Sequence, residues 1–419
     1  MIRRLRVRAF KGLREFSIDP DRVNLLIGAN GTGKTNFADL VSFISLLPVL
    51  GLPATVDKFD GLDQVRTRQP RAGRPYRLEI EIHLGPDRSR GIQEARYLFS
   101  LAQSGDLRVQ KEELEAVVYK RKPGKPARQG VPRFDVEQPI RLAFRREGTD
   151  ITDWSEALGP RLEEFDNDRE LILATYGRLG ELRTFSNYLS SWRVYNIDAA
   201  IAKQASGSAD SDLDRYGNNI VPYVARVLKD RELRERLLLD IREAVPYIRD
   251  IQSDRVLSYQ TLRFLEEDSG SEFQLAQMSD GTIRLLGLLT ILRQPVPPAV
   301  VVIEEPENAL HMHAVRSFLQ VARRVAMADD FASQVFMTSH SPAVVDEMLS
   351  LDAMRETDGR TACFVTQRKS GQPNIVQAPA SVMKAIAENL GRPSDFQREG
   401  SFGDEPTQLP LTLNEAEAA

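Results

Sequence analysis

The sequence predicts an α/β protein with a mixed, mainly parallel core sheet, an antiparallel β-lobe and an inserted helical lobe, and three stretches carry that expectation. Val23–Ile27 is an apolar run that passes through the glycine-rich turn GANGTGKT, residues 28–35, into Phe37, Leu40, Val41 and Ile44 at helical spacing. AVVVI at 299–303 is mostly β-branched, as expected of a parallel strand buried on both faces, and it delivers Glu304 and Glu305 to its carboxyl end. FASQVFMTSH at 331–340 is another apolar strand, ending in Thr338, Ser339 and His340. Open α/β sheets bind ligands at the carboxyl ends of their strands, so these strand ends mark the expected site.

Composition narrows the class. The 419 residues are enough for a large core and two or three domains of ~150 residues each. The longest apolar stretch, Leu40–Pro53, is interrupted by Ser42, Ser45 and Pro48 and falls short of the ~20 residues a bilayer span needs. The N-terminus, MIRRLRVRAFKG, carries charge throughout and has no apolar signal core. We therefore expect a soluble, cytoplasmic protein with no membrane partner. Cys363 is the only cysteine, so a disulfide framework and a thiolate metal cluster are excluded. Its apolar neighbours make it a buried hydrophobe. A net charge of −4 gives no global pull toward nucleic acid, so any such contact needs a local basic patch.

In chain order, Ile2–Phe10 alternates apolar and basic residues, the pattern of a half-exposed strand. The glycine turn that follows Val23–Ile27 fits G-x-x-x-x-G-K-[ST] in its required setting between strand and helix. Gly28, Gly31 and Gly33 let successive N–H groups face one centre, and the next helix adds its positive end. Lys34 is placed to reach nucleotide phosphates and Thr35 to offer a hydroxyl to Mg²⁺. The expected nucleotide-contacting set is Gly28, Ala29, Asn30, Gly31, Thr32, Gly33, Lys34, Thr35 and Asn36.

Residues 77–144 switch to short alternating runs, at 77–84, 95–102, around Leu107–Val109, at 116–120 and at 139–144, which predict antiparallel strands separated by turns such as Ser104-Gly105-Asp106. Within them His83 is expected as an ordinary surface or core histidine. YKRKPGKPARQGVPR at 119–133 has six basic residues and no acidic one. It is a solvated hairpin loop or, through Lys120, Arg121, Lys122 and Lys125, a phosphate-backbone contact. Leu158–Tyr195 and Asn219–Tyr247 have helical spacing, joined by the polar stretch 204–212. No sustained heptad repeat appears, so no coiled-coil arm is expected. After strands near 251–259 and 261–266, Ser279-Asp280-Gly281-Thr282 caps a buried helix. Two short strands near 362–367 and 374–377, a helix at 381–390 and a polar tail expected to be disordered complete the chain. The expected division is 1–150 for an N-terminal lobe, 151–250 for a helical lobe, 251–395 for a C-terminal lobe and 396–419 for the tail.

The order of strand, GANGTGKT, intervening lobes, MSDGT, VVVIEEPENALH and MTSHSP resembles the ABC-type ATPases of the SMC, RecF and OLD-like group over residues 1 to about 380. The resemblance implies ATP and Mg²⁺ as cofactors, with residues 28–35 as Walker A and Ile303–Glu305 as the end of Walker B. Thr35 and Glu304 would bind Mg²⁺, Glu305 would orient or deprotonate the attacking water, and His340 would be the switch histidine. Ser279–Thr282 would be the signature motif that completes the site in trans, and Glu307–Leu310 the D-loop. The family usually has Asp where this chain has Glu304, and only Gln64 stands as a weak Q-loop candidate. His311 and His313 could be drawn as a metal pair, but they lie at the end of the D-loop match.

What that implies for function is an ATP-dependent dimer, extending to a ring in some arrangements, opened by hydrolysis. Compact relatives without long arms resemble the ATPase subunits of antiphage systems such as PARIS, Septu and Gabija, which control an effector, typically a nuclease. A RecF-like DNA-repair clamp and a nucleotide-locked scaffold are the alternatives, and a transporter ATPase is disfavoured by the antiparallel sheet and the THSP-like ending. A nuclease on the same chain is not expected. After His340 there is no D-x-D pair of the kind a TOPRIM-type site uses, and one cysteine with four histidines gives no nuclease-type Cys/His cluster.

Overall fold

The computed structural model describes residues 1–378 apart from 68–76, 103–105, 125–131, 160–161, 163–164, 205–211, 257–258, 268, 329–332, 354–360 and 370–371. Lys125, most of the 204–212 stretch, the helix expected at 381–390 and the tail lie outside the described residues.

The first half of the chain is mainly strands. β1 (Ile2–Phe10), β2 (Leu13–Ile18) and β3 (Val23–Ile27) precede α1 (Lys34–Leu50), α2 (Leu52–Lys58) and α3 (Leu62–Val65). β4 (Glu79–Leu84), β5 (Ile92–Leu101), β6 (Val109–Arg121), β7 (Phe134–Glu147) and β8 (Asp150–Trp154) follow. Next come α4 (Ile172–Tyr176), α5 (Leu182–Ser190), β9 (Arg193–Tyr195), α6 (Ala199–Ala202), α7 (Ile220–Lys229) and α8 (Arg231–Ala244). The remainder holds β10 (Ile248–Val256), β11 (Tyr259–Glu266), β12 (Glu272–Gln274), α9 (Asp280–Leu292), β13 (Val300–Glu304), α10 (Met312–Ala326), β14 (Gln334–Ser339), α11 (Pro342–Ala353), β15 (Thr361–Lys369) and β16 (Gln372–Gln377).

These strands make three sheets, ordered β2-β1-β4-β5-β6-β7-β8, β10-β11-β12 and β16-β15-β3-β14-β13-β9. The first two are antiparallel. In the third, β9, β13, β14, β3 and β15 run parallel and β16 turns back along β15. The mixed core sheet and the antiparallel lobe are therefore as the sequence predicts.

The core sheet is buried on both faces, and its period-2 alternation divides the core. Val300 and Val302 join Leu26, Phe336 and α1 in one apolar cluster, while Val301 and Ile303 join Leu25, Met337 and the helices α7–α11 in the other. α1 thus lies between the parallel sheet and the large antiparallel sheet, carrying Phe37, Leu40, Val41 and Ile44 at 0–1% exposure.

The structure departs from the sequence reading at particular points. The runs near Leu107–Val109 and at 116–120 are not two strands but the single β6, because the charges between them fit inside it. Glu112 and Arg146 form an ion pair at 3.1 Å with both side chains fully buried. Arg193–Tyr195, expected within a helical stretch, is the edge strand β9, paired in parallel with Val301–Ile303. The helices around it divide between the two faces: α4 and α5 pack with α1, and α7 and α8 with α9, α10 and the β10–β11 pair. β2 was not anticipated, since LREFSI shows no clear apolar run until its register on β1 buries Leu13, Phe16 and Ile18.

Candidate functional site

The carboxyl ends of β3, β14 and β13 lie side by side, with Ile27 opposite Ser339 and Thr338 opposite Glu304. The glycine turn rises from β3 into α1. Gly31 and Gly33 have φ of +76° and +111°, where a side chain is strained. A Cβ at Gly28 would stand 2.2 Å from Thr366 Oγ1, so the turn packs against β15 as closely as backbone allows. Thr32 Oγ1 shares a hydrogen bond of 2.7 Å with Thr366, and the Arg368 guanidinium donates to Gly31 O at 3.2–3.3 Å. Thr366 and Arg368 escaped sequence reasoning because only pairing of β15 with β3 brings them here.

Lys34 is 6% exposed and folds back on the turn, donating from Nζ to Gly28 O at 2.6 Å and Ala29 O at 3.0 Å. Burial lowers its pKa, opposed by the negative charges of Glu305 and Glu307. The ammonium therefore rests on two carbonyls of the turn within the field of both carboxylates.

Glu305 leaves the end of β13 with φ +46°, a left-handed conformation that for a non-glycine residue costs about 1–3 kcal/mol. Surrounding contacts hold it there. Its N–H donates to Thr338 O at 3.0 Å, and Arg284 Nη2 donates to its carbonyl at 2.8 Å. Its carboxylate accepts from Asn308 Nδ2 at 2.8 Å through Oε2, and Oε1 is 3.3 Å from His340 Nδ1. Glu307 accepts from Ser339 Oγ at 2.6 Å with Oε1, 3.9 Å from His340, while its buried Oε2 has no hydrogen-bond partner. The strand ends thus unite Glu305, Glu307 and His340. Arg284 was missed because its side chain reads as part of an ordinary helix; its reach to Ile197 O and Glu305 O ties the start of α9 to the end of β13.

Ser279 caps α9, accepting from Thr282 N at 3.1 Å, as predicted. Ser279 and Asp280 are exposed, and Asp280 pairs with Lys203 at 2.6 Å. Gly281 is required by packing, since a Cβ would stand 2.7 Å from Ala309 O. Gln64 is exposed on α3, against a cavity of about 1050 Å³ that Asp39 and Arg215 also line.

Glu304 carries a counter-charge from within the chain. It is 6% exposed, and its Oε2 accepts from Arg215 Nη2 at 2.6 Å. Burial raises its pKa, and the Arg215 hydrogen bond and charge oppose that rise. Arg215 also lies 3.5 Å from Asp39, which pairs with Lys11 at 2.6 Å. Among the described residues no three His, Cys, Asp or Glu side chains are placed to hold a metal ion together. Thr35, Glu304 and the orphaned Glu307 oxygen are hard donors that suit Mg²⁺, whose coordination nucleotide phosphates and water usually complete. The donor set therefore fits, with Arg215 already on Glu304. His311 and His313 do not converge: His313 Nε2 lies 3.3 Å from Glu243 O, and His311 precedes α10 as its N-cap.

Lys120, Arg121 and Lys122 are exposed at the end of β6, with Lys122 3.7 Å from Asp135. No helix among the described residues is long and apolar enough to cross a membrane.

Residues 23–346 match the family model described as "AAA domain, putative AbiEii toxin, Type IV TA system". Among solved structures, an SMC head bound to the C-winged helix domain of ScpA is similar with TM-score 0.56 and 11% identity, covering 91% of this chain and 98% of that one. An Smc head domain with an extended coiled coil bound to the C-terminal domain of ScpA, derived from Pyrococcus furiosus, gives TM-score 0.53 and 11% identity, covering 93% and 99%. At that identity the likeness shows a shared fold. A search of curated proteins finds no match.

Proposed function

Because the chain belongs to the AAA-domain family and has the fold of SMC heads, we propose that it is an ATP-binding and ATP-hydrolysing switch that dimerises around nucleotide. The observation that carries the proposal is the meeting of a glycine cradle bearing Lys34 with the Glu305–His340 pair at adjoining strand ends. In this reading Lys34 gives up Gly28 O and Ala29 O for phosphate oxygens. Glu305, held by Asn308 at one oxygen, aligns or deprotonates the water, and His340 stands at the γ-phosphate. Mg²⁺, held by Thr35 and Glu304, would supply charge neutralisation on the phosphates. The Ser279–Thr282 helix start, exposed at Ser279 and Asp280, would complete the site of a second copy.

The switch would act on an effector carried by another protein, in defence against phage. The family description, which names a toxin of a toxin–antitoxin system, supports a conflict role. A DNA-contacting clamp is the second reading, favoured by the exposed Lys120, Arg121 and Lys122. The test is direct. The purified chain should bind a fluorescent ATP analogue and hydrolyse ATP while leaving DNA and RNA uncut. Lys34→Ala should lose nucleotide binding, and unchanged affinity in that variant would remove the proposal.

A further inference from the structure

Two carboxylates from separate elements meet one cation. Glu304 ends β13, and Asp39 lies on α1 one helical turn beyond Thr35. The Arg215 guanidinium joins them, at 2.6 Å from Glu304 and 3.5 Å from Asp39. Its backbone is fixed from the other side: Arg215 O accepts from Asn196 N at 2.8 Å, and Tyr216 O from Asp198 N at 3.0 Å, next to β9. The guanidinium reaches Glu304 from the wall of the 1050 Å³ cavity. Its Nε is buried without a hydrogen-bond partner, so the two charge contacts hold the side chain while one donor goes unsatisfied.

We propose that Arg215 is a resident cation of the nucleotide site, which must leave Glu304 before a divalent ion can bind there. This rests on the ATPase reading above and concerns how that site takes its metal. Charge balance drives it. A buried carboxylate needs a counter-charge, and Arg215 supplies one when no metal is bound. A divalent ion at Glu304 and the guanidinium would repel each other at contact distance, so the two occupy the carboxylate in alternation. The extra methylene of Glu304, compared with the Asp usual in the resembling family, gives the carboxylate a longer reach along this direction. Release of the guanidinium also frees Asp39, whose other oxygen holds Lys11 at 2.6 Å. Metal binding is thereby linked to the turn between β1 and β2. Arg215 sets how much Mg²⁺ the site demands.

The test measures binding without turnover. The affinity of a fluorescent ATP analogue is followed as Mg²⁺ is raised, and the Mg²⁺ concentration giving half the full effect is read. Arg215→Gln should lower that half-point about tenfold, as expected on losing a competing charge-assisted hydrogen bond. Arg215→Lys keeps the charge but loses the two-pronged reach. It should fall between wild type and the Gln variant, which keeps the idea testable if the Gln variant does not fold. In a Glu304→Gln background, Arg215→Gln should add no further shift. A half-point that stays put or rises in either Arg215 variant overturns the proposal, as does the same shift with and without Glu304. A wild-type chain that binds no nucleotide would instead remove the ATPase reading.

Discussion

His340 Nδ1 lies 3.3 Å from Glu305 Oε1 across the neighbouring ends of β14 and β13, while Asn308 holds the other oxygen of the same carboxylate. One oxygen is anchored and the other faces a titratable partner, which suits a group that orients water and accepts a proton. Glu305→Gln should keep nucleotide affinity within about twofold and slow turnover about 10²–10⁴-fold, the usual contribution of a positioned base. Single-turnover hydrolysis at the wild-type rate would move the assignment to Glu304 or Glu307.

Ser279→Arg places a bulky cation at the exposed start of α9. We expect it to bind nucleotide normally and to lose concentration-dependent ATPase activity. Measuring specific activity against protein concentration decides this. Cooperative activity that survives the substitution argues against a site shared between two copies.

The buried pair Glu112–Arg146 is a stability element remote from the chemistry. Glu112 also accepts from Tyr97 and from the N–H groups of Ile172 and Leu173, so it anchors α4 to β6. Arg146→Met leaves a carboxylate buried beside those donors and should cost about 3–5 kcal/mol. Urea unfolding monitored by circular dichroism reads this. A loss below about 1 kcal/mol would mean that the backbone donors alone satisfy the carboxylate.

Replacing Lys120, Arg121, Lys122 and Lys125 with Ser tests the nucleic-acid reading. Each phosphate contact removed should flatten the log–log salt dependence of DNA binding by ~0.9. Affinity and slope equal to wild type would return these residues to a solvated hairpin.

Sequence alone determined the elements whose signals are local. The apolar strands at 23–27, 299–303 and 334–339, the positive-φ glycines after β3, and the Ser279 cap each follow from a few neighbouring residues. The positions of Lys34, Glu305 and His340 at adjoining strand ends followed from those strands being parallel. Tertiary structure decided what depends on partners far along the chain. Glu112 looks like a break in a strand until Arg146 neutralises it, and Arg193–Tyr195 has a strand's role only because β13 offers an open edge. Glu304 illustrates this most sharply. Its place at the strand end is written in the sequence, but its counter-charge, Arg215, is 89 residues away and has no motif. A buried carboxylate takes whatever cation the fold delivers, and only the folded chain determines which one that is.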